Sequence, residues 1–219
     1  MSIEMSEVVA VVLRSLRVSG TALLISTAIG VPLGAWLGLS RFKFRQFLVI
    51  LVYTGMGFPP VVVGLAVYLA YSQAGPLGSF GWLFTVHAMI TAQVIIALPL
   101  VAGLTMAAIE SLDPDLRLQI RSLGADPRQE VLALLSEARE GVLASILAGF
   151  GGIISEVGAA MLVGGNIAGS TRVMSTVIVL ETRQGNFGLG LALGGVLIAV
   201  VFLLNGILLQ LQYPLWRRR

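Results

Sequence analysis

The chain has 219 residues, of which 57% are hydrophobic and 11% charged, with a formal net charge of +3; ordinary globular proteins carry about 25% charged residues. Fourteen basic and eleven acidic side chains are too few to cover a water-soluble protein of this size, and the mean hydropathy of +0.94 makes lipid the expected solvent. With no cysteine, neither a disulfide nor a thiolate metal site is available.

A helix crossing about 30 Å of hydrocarbon needs about 20 apolar residues. Residues 1–17, with Glu4, Glu7, Arg14 and Arg17, lack the pattern of a cleaved signal peptide and read as an amphipathic lead-in. Residues 18–40 carry no acidic or basic side chain and form the first expected span. Gly30, Gly34 and Gly38 recur there at intervals of four, a spacing that lets helix backbones approach in lipid; packing within the bundle and a dimer seam are both open. The next charge-free run, 46–109, is too long for one helix and is divided by the turn-rich segment from Ser72 to Gly81, which predicts spans near 46–72 and 82–109. Pro59 with Pro60, and Pro99, are expected to interrupt these two spans, and broken helices at membrane depth often line a pathway. His87, alone in the third span, reads as a helix-bridging hydrogen bonder, since no Cys, Asp or second His is near to share a metal.

Residues 110–140 hold seven of the eleven acidic residues together with Arg117, Arg121, Arg128 and Arg139. Such a segment is too short to fold alone, but it suits two short helices around Ser122–Pro127, with Asp126 capping a helix that begins at Pro127 and Gly124 freeing the corner before it. A fourth span near 142–166 contains one charge, Glu156, and a fifth near 188–213 contains none. Between them the apolar run Val173–Leu180 is too short to cross and is expected to be interfacial or re-entrant. Lys and Arg accumulate on the cytoplasmic side. Arg41, Lys43, Arg45, Arg117, Arg121, Arg128, Arg139 and Arg217 to Arg219 fall on one side of a five-span topology, against Arg14, Arg17, Arg172 and Arg183 on the other. That predicts an outside N-terminus and an inside C-terminus, and leaves 110–140 as the one sizeable cytoplasmic segment. The basic balance therefore reports topology, not nucleic-acid binding.

Gln119-Ile120-Arg121-Ser122-Leu123-Gly124-Ala125-Asp126 resembles the Glu-Ala-Ala loop of permease subunits of binding-protein-dependent ABC importers, with Gly124 at the loop glycine. Gln119-Ile120-Arg121 replaces the family's triplet, and Ser136-Glu137 stands where Leu-Pro commonly follows. Gly57 to Leu65 and Ile154 to Ile167 are similar to the second and fourth spans of the tungstate and molybdate branch, while Thr171 to Thr176 and Leu180 to Phe187 look most like tungstate permeases. The resemblance covers essentially residues 10–210.

It implies an all-helical membrane bundle of the type I importer kind, forming a homodimer in a bacterial or archaeal cytoplasmic membrane. Two cytoplasmic ATPase subunits, which would hold ATP and magnesium, are expected beneath it and an extracytoplasmic oxyanion-binding protein above. The sequence has no Gly-x-x-x-x-Gly-Lys-Ser/Thr phosphate loop and only one lysine, Lys43, so no cofactor is assigned to this chain. Under the resemblance, Gln119, Arg121, Ser122, Leu123, Gly124, Ala125, Asp126 and Pro127 form the helix corner that couples to the ATPase.

With no basic side chain inside a span, an anion path would rely on hydroxyls such as Thr54, Thr91 and Ser155, on Gln93, and on backbone N–H groups at the breaks. Glu156 is the costliest residue to place in lipid and needs a partner. A gate and a helix lock are both open to it, and the lock is favoured because a carboxylate would repel a dianion at short range. Arg172 and Arg183 are external candidates, either meeting an acidic rim of the binding protein or the oxyanion, or snorkelling as interfacial anchors.

Rival readings are weaker. An intramembrane enzyme using Ser155 or Ser145 with His87 lacks a Gly-x-Ser-x-Gly elbow and an aspartate in a span to orient the histidine. A self-sufficient channel or carrier would leave 110–140 without a task and lacks matched interrupted spans in its two halves. Molybdate shares shape and charge with tungstate and stands as the alternative substrate.

Overall fold

The computed structural model describes residues 5–212, and every regular element among them is helical. Helix α1 (Met5–Leu39) absorbs the expected lead-in and the first span into one continuous rod with Pro32 inside it. Four further helical regions are apolar enough to cross a membrane: α4 (Val86–Glu110), α10 (Phe187–Gln212), and two bent pairs, α2 (Arg45–Met56) with α3 (Pro60–Tyr71) and α7 (Arg139–Ile154) with α8 (Gly158–Gly164). Between α4 and α7 lie α5 (Pro114–Ser122) and α6 (Pro127–Glu137), and α9 (Met174–Arg183) precedes α10.

Close backbone approach organises the bundle. A methyl group on Gly34 would fall 2.4 Å from the Ala102 carbonyl oxygen, and one on Gly38 would fall 2.9 Å from Ile109 Cγ2. The glycine stripe of α1 is therefore packed against α4 of the same chain, where lipid offers no hydrophobic drive and contact distance sets the attraction. On α10, Gly190 touches Thr182 of α9 while Gly194 faces open space.

The α2–α3 pair turns by 101° at Gly57–Pro59, where Pro59 is the extended residue before α3 and Pro60 its first residue, a position that needs no N–H. Pro99, in contrast, does not interrupt the third span: α4 runs unbroken past it. The ring packs on Gly55 of α2, where a Cβ would meet Pro99 Cβ at 2.8 Å, and a buried, neighbour-packed proline can be carried within a helix. A break the sequence reading lacked divides the fourth span at Ser155–Val157, with a bend of 58°.

The second halves of the two bent pairs meet. Gly64 of α3 lies against Ala159 of α8, 2.7 Å from Ala159 Cα to a built Cβ. Val63, Val67, Tyr71, Met89, Ala160 and Val163 fill the core between α3, α8 and the start of α4. The apolar run expected to be interfacial or re-entrant is α9, whose Met174 and Val177 pack with Val11 and Leu193 between α1 and α10. Arg217 to Arg219 of the basic tail lie outside the described residues.

Candidate functional site

At one end of the bundle the polar segment forms the expected helix pair. Asp126 accepts from Arg128 N–H and Gln129 N–H, both at 2.8 Å, and the Gln129 side chain accepts from Asp126 N–H at 2.9 Å, a complete capping box before Pro127. Asp113 caps α5 in the same way by accepting from Asp115 N–H. Gly124 has φ +84, in the left-handed region that only glycine adopts freely, and so turns the chain between the two helices. At the tip, Leu123 is 87% exposed, and Gln119, Arg121, Ser122, Asp126 and Pro127 are exposed around it, with Ala125 half-buried.

A polar collar holds this corner to the bundle. Glu130 on α6, 5% exposed, receives Arg117 Nε and, from Arg121, Nε at 2.7 Å and Nη2 at 3.1 Å. The Arg121 guanidinium holds the Glu130 carboxyl below its usual range, with Arg117 adding to this and burial opposing it. Arg117 Nη1 also donates to the Leu39 carbonyl at 2.9 Å, and Arg45 Nε donates to the Leu37 carbonyl at 2.8 Å while its guanidinium pairs with Glu110. The last carbonyls of α1, at the negative end of its dipole, are thus capped by arginines from α5 and α2. Sequence reasoning missed Arg45, Glu110, Arg117 and Glu130 as a unit. The i, i+4 spacing of Arg117 and Arg121 places both on one face of α5, but which carboxylate meets them depends on how α6 folds back.

The two breaks adjoin each other. A Cβ on Gly158 would lie 2.6 Å from Val61 Cγ2 and 3.3 Å from Glu156 Oε1, so the Pro59–Pro60 turn and the Ser155–Glu156 turn face each other. Glu156 is half-buried and its Oε1 accepts from Ala159 N–H at 3.0 Å, capping the first turn of α8; its backbone carbonyl accepts from Ser175 Oγ of α9 at 2.9 Å. Gln93, buried on α4, donates to the Ile153 carbonyl at 3.0 Å, one of those freed at the end of α7. The joint is therefore held by α4, by α9 and by its own carboxylate.

Other path candidates lie elsewhere or are engaged. Ser155 Oγ donates to Gly151 O one turn back at 2.8 Å. Thr91 donates to His87 O and sits 3.3 Å from the Tyr71 hydroxyl, away from the joint. Thr54 is exposed on α2. His87 stacks its ring on Trp82 at 5.1 Å, so it bridges elements by ring contact where a hydrogen bond was expected. Among the described residues no group of three potential metal ligands exists.

At the opposite end Arg172 is committed internally: it donates to Glu7 at 3.3 Å, and Arg14 donates to its carbonyl at 2.9 Å, tying the loop before α9 to α1. Arg183, at the last turn of α9, is exposed.

Residues 30–218 match the family described as binding-protein-dependent transport system inner membrane component. The probable anion ABC transporter permease protein of Haloferax volcanii is 40% identical over 210 residues, covering 94% of this chain and 90% of that protein. The tungstate uptake system permease protein TupB of Campylobacter jejuni is 40% identical, covering 78% and 72%, and its Peptoclostridium acidaminophilum namesake is 35% identical, covering 94% and 90%. Among solved structures, an inward-facing MetNI methionine ABC transporter superposes with a TM-score of 0.72 at 18% identity, covering 95% of this chain and 94% of that one, which speaks to fold alone.

Proposed function

The chain belongs to the family of inner membrane components of binding-protein-dependent transport systems, and on that premise we propose that it is the permease subunit of an ABC importer for tungstate or a similar tetrahedral oxyanion. The observation that carries a driven permease, as opposed to a free-standing carrier, is the corner at Leu123. An apolar side chain 87% exposed to the surroundings, on two capped helices clamped by Glu130, is a rigid contact surface. Rigidity is what a lever requires, because motion applied at a loose corner would be lost before reaching the spans.

In this reading residues 1–219 form one membrane domain whose five spans are α1, α2–α3, α4, α7–α8 and α10. The corner faces the cytoplasm, the N-terminus lies outside and the C-terminus inside. Two copies enclose the path, each corner seats in one ATPase subunit that holds ATP and magnesium, and an external binding protein delivers the anion. Closure of the ATPase pair pushes α5 and α6, and the collar passes the motion to α1, α2 and α4 together. Tungstate is supported by the two TupB relatives and the anion-permease relative. Molybdate is the alternative, and competition between the two anions for uptake separates them.

The test is reconstitution in proteoliposomes with the ATPase and binding-protein partners. Leu123→Asp should reduce tungstate-stimulated ATP hydrolysis on the order of tenfold, as loss of an apolar anchor does, while the purified variant keeps its helical content. Uptake by the chain alone, without ATP, would overturn the reading in favour of a carrier.

A further inference from the structure

The collar pairs Arg45 with Glu110, and Arg117 and Arg121 with Glu130, but two neighbouring cations are left out of it. Arg41 and Lys43 are exposed, and among the described residues neither side chain has an ion pair or hydrogen bond. They alternate with aromatic residues in Arg41-Phe42-Lys43-Phe44-Arg45-Gln46-Phe47, the short connection from α1 into α2. Phe42 is stacked on Trp36 of α1, ring centroids 4.7 Å apart, whereas Phe44 is 71% and Phe47 60% exposed. Phe47 continues into Ile50 and Leu51, an exposed apolar face of α2 at helical spacing.

We propose that residues 41–47 form a binding site for an acidic phospholipid, with its headgroup phosphate between Arg41 and Lys43 and its acyl chains along Phe44 and Phe47. The patch lies where two apolar helices end, so rings at this level meet the hydrocarbon boundary and cations meet the headgroups. Arg41 also lines a cavity of about 600 Å³ reaching Arg45, Glu110 and Arg117, which places a bound headgroup against the collar. Charge complementarity selects the occupant: a zwitterionic lipid would satisfy the rings and leave two cations uncompensated. The assignment to the cytoplasmic leaflet rests on the topology proposed above, whereas the binding itself does not.

Trp36 is a native reporter, since replacing Trp82 and Trp216 by Phe leaves it as the single indole. Full-length chain in this background, reconstituted in vesicles, should show stronger quenching of Trp36 by brominated phosphatidylglycerol than by brominated phosphatidylcholine, corresponding to roughly fivefold preference per cation. The preference should vanish in R41Q/K43Q and persist in R41K/K43R. Equal quenching by the two lipids in the parent, or a preference that survives R41Q/K43Q, would overturn the proposal. So would loss of the preference on adding inorganic phosphate alone, which would mark a free-anion site, or shielding of Trp36 from both lipids, which would mark cover by a second copy. This readout requires no transport, so failure of the importer reading appears only in the ATP hydrolysis assay.

Discussion

The collar end and the broken-span end are held together by opposite means. Around α5 and α6 the chain uses charge: Glu130 gathers two arginines, and arginines cap the end of α1. Around α3 and α8 it uses shape and hydrogen bonds to the backbone, with Gly64 against Ala159 and Glu156 spent on one backbone N–H. At the collar Glu130 is buried between two guanidiniums, and breaking a buried pair is costly, so charge fixes the corner there; in lipid an unmet polar group is costly, so contact distance and caps must do the holding. The difference teaches that one helical chain can fix a polar corner by charge and an apolar core by shape, independently of each other.

Substitution at a glycine contact of the α1–α4 seam, held by shape as α3 and α8 are, should have the largest effect. Gly34→Ala forces a methyl to 2.4 Å from the Ala102 carbonyl oxygen, and overpacking of this kind costs about 1–3 kcal/mol. Gly194→Ala, which meets nothing within 4 Å, should stay within about 0.5 kcal/mol of the parent. Thermal unfolding of the purified variants in detergent compares them, and equal melting temperatures would show that the α1–α4 approach is looser than described.

Glu130→Gln sharpens the other side of the comparison. With its clamp weakened, α5 and α6 should exchange backbone hydrogens on the order of tenfold faster while α3 and α8 keep their protection. The same group sets a pH dependence. Its carboxyl is held low by Arg121 first and Arg117 next, so the folded-state value lies below the unfolded one of about 4.3. The stability it contributes is fully present above the unfolded value and is lost as pH falls through the folded value. Protection of α5 and α6 should therefore be flat near neutrality and fall in acid below about pH 4, and Glu130→Gln should lack that fall.

The smallest expected effect is at Glu156. Glu156→Ala removes the acceptor for Ala159 N–H, a loss of about 1 kcal/mol for a helix cap, whereas Glu156→Gln keeps a carbonyl oxygen for that bond and should melt close to the parent. Tungstate-stimulated ATP hydrolysis by Glu156→Gln separates the roles: activity near the parent's fits a helix lock, and abolished coupling in a stably folded protein fits a gate.

Much of this was legible before any coordinates. Composition alone points to a lipid-embedded chain, because too few charges exist to cover a soluble surface, and charge-free runs of about 20 residues or more make it helical. The capped corner at Ser122–Pro127 is likewise written locally, since a capping box, a proline at the first helical position and a left-handed glycine each act within a few residues. Tertiary structure decided the rest. Pro99 and Pro60 are the same residue type in apolar surroundings, yet one rides inside α4 against Gly55 and the other opens α3, because a proline's missing donor matters only according to what neighbours supply. The break at Ser155–Val157, the engagement of Arg172 with Glu7, and the choice of Glu130 as the acid that gathers Arg117 and Arg121 are long-range pairings. Such pairings are settled by which helix faces meet in space, and that information is not carried by any single stretch of residues.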